Sequence, residues 1–128
     1  MKIKFAAALS LFLAMNASAG TLECASADAS LKYVFSRSDG GAPRGPSTSL
    51  VVAEKTLISI EPFGGSEINL AMMVFSGKES ILDKTKTSDY ETTWYSQKLK
   101  VTSKEDNSIL FNEPVLCKKA DYIGPPRP

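Results

Sequence analysis

Between Leu22 and Cys117 the apolar residues recur mainly at alternate positions, and a period of two restricts such a chain to half-buried strands rather than helices. Leu22 and Cys24 open the first strand. Leu31, Tyr33 and Phe35 mark a second, with Lys32, Val34 and Ser36 on its other face. The stretch from Ser36 to Ser49 holds Asp39-Gly40-Gly41, Pro43, Gly45 and Pro46, residues that supply positive or fixed φ but cannot sustain a ladder, and it is predicted as the longest loop. Two short strands follow over Leu50 to Ile60, with Glu54-Lys55 as the turn between them.

Ile68 to Phe75 is apolar on both faces, which predicts a central strand covered on each side and ended by Ser76-Gly77-Lys78. Ser80 to Thr93 reads as an exposed hairpin. Tyr90, Thr92 and Trp94 then alternate with Glu91, Thr93 and Tyr95, leading to Leu99 and Val101. After a turn at Glu105-Asp106-Asn107 come Leu110, Val115 and Cys117, with the last strands interrupted at Asn112-Glu113-Pro114 because proline cannot donate to a ladder. This rhythm predicts an all-β chain: a small antiparallel barrel or sandwich of about eight strands in meander order.

The two ends carry separate signals. Lys2 and Lys4, the apolar run Phe5 to Met15 and Ala17-Ser18-Ala19 form the three parts of a secretory leader, predicting cleavage before Gly20. The expected layout is therefore a signal peptide over 1–19, a single β domain over 20–122 and an extended or disordered Pro-rich tail over 123–128. The apolar run is shorter than the roughly 20 residues that span a bilayer, so no transmembrane segment is expected in the mature chain. Export through an oxidising compartment predicts that Cys24 and Cys117 pair, which places the first and last strands side by side and favours closure over an open sheet. Loss of Lys2 and Lys4 with the leader takes the formal charge from +1 to −1, with acids and bases interleaved, and that argues against a nucleic-acid partner.

The chain contains no histidine, which removes the commonest general base and metal ligand and every Ser-His or Cys-His nucleophile pair. With only two cysteines besides, neither a metal nor a cofactor is expected. Glycine pairs such as Gly40-Gly41 and Gly64-Gly65 read as turns, and no phosphate-cradling motif is present. The aromatic cluster carries the binding signal. If Trp94 shares the interior with Tyr90, then Tyr95 lies on the surface beside Gln97, and these two with Ser76 and Lys78 form a candidate binding surface. Tyr33, Met72, Val74 and Trp94 are the candidate lining of an apolar cavity.

With a leader and one disulfide, Ser76-Gly77 after a strand resembles the exported inhibitors of C-type lysozyme. Lys78-Glu79-Ser80 stand where that resemblance implies an aromatic residue, so no membership follows. The functional expectation is a non-enzymatic binding protein of the bacterial periplasm or exterior that recognises a protein or glycan, an inhibitor of a hydrolase being one version. A small carrier of an apolar ligand and a subunit of an envelope assembly are the alternatives.

Overall fold

A computed structural model describes residues 20–37, 47–61 and 66–125; the leader, most of the predicted long loop and the last three residues lie outside the described residues. Within them the chain forms eight strands: β1 (Gly20–Ala25), β2 (Leu31–Arg37), β3 (Ser47–Val52), β4 (Lys55–Ile60), β5 (Ile68–Asn69), β6 (Ala71–Lys86), β7 (Tyr90–Ser103) and β8 (Ile109–Tyr122). No described helix is long and apolar enough to cross a membrane.

The strands form one sheet in the order β5-β4-β3-β2-β1-β8-β7-β6, antiparallel at every pairing. Only β1 and β8 are neighbours out of chain order. Cys24 lies directly opposite Cys117 in that pairing and is bonded to it, with the two Cα atoms 4.1 Å apart. The all-β meander with bridged terminal strands is thus present, as a single curled sheet rather than a two-sheet sandwich. Its ladder does not run fully round. The two end strands approach each other at Leu70, whose N–H donates to Leu57 O (2.8 Å) while its carbonyl accepts from Lys104 N (2.9 Å).

The inner face of the curl carries the core. Leu31, Leu50, Leu99, Val101 and Val115 are fully buried and pack with the disulfide, and Tyr33, Met73 and Phe75 lie against them. The alternation that the sequence shows is the cause: each strand contributes every second side chain to one shared apolar interior.

Two strands are longer than the sequence suggests. Ser76-Gly77-Lys78 does not end β6; Gly77 adopts φ +77°, and residues 77–79 bulge between the pairs Ser76–Lys98 and Ser80–Ser96 before the ladder resumes. The bulge absorbs the turn-like composition without stopping the strand. Pro114 likewise sits inside β8, opposite Lys98. Pairing with β1 starts only at Leu116, so Pro114 meets a free edge on its other side and its missing N–H leaves no gap in a ladder.

The strand predicted to be central is at the edge. β5 and β6 are the two ends of the sheet, and Leu70, Met72 and Val74 are about half exposed on the outer face while Ala71, Met73 and Phe75 turn inward. Met72 and Val74 therefore do not line a cavity; the period of two sends them to the face opposite the core.

Candidate functional site

Cross-strand register assembles the site row by row on the inner face. One row runs Tyr33, Cys24, Cys117, Tyr95 across β2, β1, β8 and β7. The next, one pleat toward the open end, runs Phe35, Leu22, Lys119, Thr93, and beyond it Gly20 lies opposite Asp121. Side chains thus pass from apolar and aromatic near the disulfide to charged at the mouth. The result is a cleft of about 580 Å³ walled by Leu22, Phe35, Phe75 and Tyr95 and rimmed by Glu79, Gln97, Lys119 and Asp121.

Pairing with Cys117 fixes which way Tyr95 points. Because both residues share the row of the core disulfide, Tyr95 is buried, at 5% exposure, against the interior. This corrects the expectation of a surface Tyr95. Trp94, one residue away, necessarily takes the outer face and is no part of the cavity lining. There it sits opposite Lys118, whose Nζ lies 5.7 Å from the centre of the indole ring. Tyr33, also a candidate for lining, does face inward and meets the Phe75 ring edge-on with centroids 6.2 Å apart.

The β6 bulge positions the acidic side of the rim. Gln97 fills the gap that the bulge opens, donating from Nε2 to Gly77 O at 2.9 Å, and Glu79 on the bulge reaches the cleft. Burial pushes the Tyr95 phenol up to about 12, with the Glu79 carboxylate and then Tyr33 adding to the rise. At neutral pH Tyr95 is therefore a fixed O–H donor at the base of the cleft. Among the described residues, Glu79, Lys119 and Asp121 have no hydrogen bond or ion pair to another side chain. Their polar atoms are available to something that enters.

Of the predicted binding surface, Tyr95 and Gln97 meet in this cleft, whereas Ser76 and Lys78 stay exposed on β6 before and within the bulge. Phe35, Lys119 and Asp121 carry no binding signal in the sequence, and Glu79 reads there as a solvated turn residue. A signal existed for the parity of β7: Leu99 and Val101 are core residues, and an unbroken period of two carries their face back through Gln97 to Tyr95.

A second hollow, of about 720 Å³, opens at the other end between the β3–β4 and β7–β8 turns, where Leu57, Leu70 and Leu110 form the walls. Part of its polar lining is engaged internally, Lys104 Nζ donating to Asn69 Oδ1 (2.8 Å) and Ser108 Oγ to Asp106 Oδ1 (2.7 Å), and Lys55 and Glu105 line it as well. No aromatic residue lines this hollow, whereas Phe35, Phe75 and Tyr95 line the cleft at the other end, which is the better candidate for that reason. No protein-family model, curated protein or solved structure matches this chain.

Proposed function

We propose that this chain is an exported, non-enzymatic binding protein of the bacterial envelope or exterior, holding a group of a protein or glycan partner in the aromatic cleft. The observation that carries the reading is the cleft itself: aromatic walls, with Tyr95 buried and Phe35 and Phe75 half-buried, beside three charged side chains that have no side-chain partner among the described residues. Its volume falls within the roughly 300–1,000 Å³ of small-molecule sites. The leader read from Lys2 to Ala19 and the buried Cys24–Cys117 bridge support export.

The test is retention of a partner from envelope and secreted fractions by the immobilised protein, repeated with Phe75→Asp. Recovery of one component by the wild type and its loss in the variant supports the reading; recovery of nothing sinks it. A rival reading draws on Glu79 and Asp121, two carboxyls that line the same cleft, as an acid and base pair. If the retained component is cleaved by the wild type and left intact by Glu79→Gln, the protein is a hydrolase instead.

A further inference from the structure

We infer that the cleft takes an uncharged saccharide unit, an inference that rests on the cleft being the binding site. The argument turns on which ligand chemistry leaves fewest groups unsatisfied. Phe35 and Phe75 are half-buried and Tyr95 is buried, so the walls are aromatic, and a ring's negative quadrupole attracts the weakly positive C–H groups of a flat apolar surface. The rim, by contrast, holds one cation and two anions: Lys119 with Glu79 and Asp121.

A purely apolar ligand filling this space would meet the rings but leave Lys119, Glu79 and Asp121 to water, making no use of the polar rim. A cationic ligand would pair with Glu79 and Asp121 but leave Lys119 facing a like charge, and an anionic one would have Lys119 alone to receive it against two carboxylates. A neutral sugar avoids both penalties. One face of a pyranose presents C–H groups to the rings, while hydroxyls around its edge both donate and accept. Donors to receive are Lys119 Nζ and the Tyr95 hydroxyl; acceptors are the Glu79 and Asp121 carboxylates. Lys119 and Asp121 share one face of β8 two residues apart, about 7 Å along the strand. They can therefore address different hydroxyls of the same ring or of adjoining rings.

The experiment is a titration of the ¹⁵N-labelled protein with three neutral disaccharides (N,N′-diacetylchitobiose, cellobiose and maltose), and separately with N-acetylarginine amide and with glucuronate. Saturable shifts in the Leu22, Phe75 and Gln97 amides with at least one neutral disaccharide, larger than with either charged probe, support the inference. Lys119→Met, an exposed change that leaves the core intact, then weakens that affinity about tenfold through loss of one charge-assisted hydrogen bond. Three flat titrations, or stronger response to a charged probe, overturn it. Should Phe75→Asp still abolish partner retention while all three disaccharides fail, the cleft stands as the binding site and the saccharide assignment alone falls.

Discussion

Two backbone positions show how single residues are strained by the turns they occupy. Ala53 (φ 50°) and Glu54 (φ 67°) both sit in the left-handed region to connect β3 and β4 in two residues, a conformation that disfavours a Cβ and is ordinarily filled by Asn-Gly. Glu54→Gly removes that penalty and is expected to raise stability by about 1 kcal/mol, read as a higher urea midpoint with unchanged slope. Tyr95 gives a pH-dependent counterpart. Its phenol is raised in the fold to about 12 from 10.0, so between those values the folded state holds a proton that the unfolded chain has lost, and stability falls as pH rises through the window. Against Tyr95→Phe, the wild type is expected to lose roughly 1–2 kcal/mol more between pH 10 and 12, a figure already reduced for the solvent that reaches the cleft. Equal slopes for the two proteins would remove the burial argument for this hydroxyl. The same residue shows why orientation was misread from sequence. Aromatic rings stand on both faces of β7, so ring type does not choose the inner face, whereas register with Cys117 does.

At the scale of elements, β6 separates what periodicity reveals from what it leaves open. Alternation correctly marks Met72 and Val74 as sharing one face, and Met73 and Phe75 as sharing the other. Whether a neighbour covers the first face depends on sheet order, which is set by which strands pair and not by the strand's own residues. Strand limits were similarly obscured at Gly77 and Pro114, because a bulge and a local free edge admit turn-forming residues inside a ladder. The edge assignment makes a paired prediction. Met72→Thr with Val74→Thr is expected to change stability by no more than about 0.5 kcal/mol per site, as for other surface substitutions, whereas Leu99→Ala in the fully buried core costs about 2–5 kcal/mol. Thermal melts of the two variants decide it, and a large loss in the first would return Met72 and Val74 to the interior. At the bulge, Gly77→Ala meets nothing within 4 Å but keeps φ +77°, so a penalty of about 1 kcal/mol from backbone strain alone is expected. Hydrogen exchange should speed up along 76–86 while the amides of β1 and β2 keep their protection.

Over the whole molecule, one pairing out of chain order joins the two halves of the sheet. Six of the seven strand pairings join consecutive strands, and only β1 against β8 is out of chain order, with its bridged cysteines 93 residues apart. That contact is made at greatest entropic cost, and the Cys24–Cys117 bridge lies within it, with both sulfurs sealed in the core. A bridge across so long a loop lowers the entropy of the unfolded chain by an amount worth roughly 4–5 kcal/mol, comparable with the net stability of a small domain, about 5–15 kcal/mol. The cleft inherits this dependence, since Leu22 comes from β1 and Lys119 and Asp121 from β8, on opposite sides of the same seam. Replacing both cysteines by alanine is therefore expected to lower the free energy of unfolding by up to about 4–5 kcal/mol and, in the surviving folded fraction, to weaken partner retention before the β6–β7 hairpin loses its exchange protection. Urea unfolding of the double variant measures the first effect, and residue-resolved hydrogen exchange the second. If β1 and β8 stay as protected as β6 and β7, the two halves of the sheet join without their sulfur link and the seam is held by the ladder and the core alone.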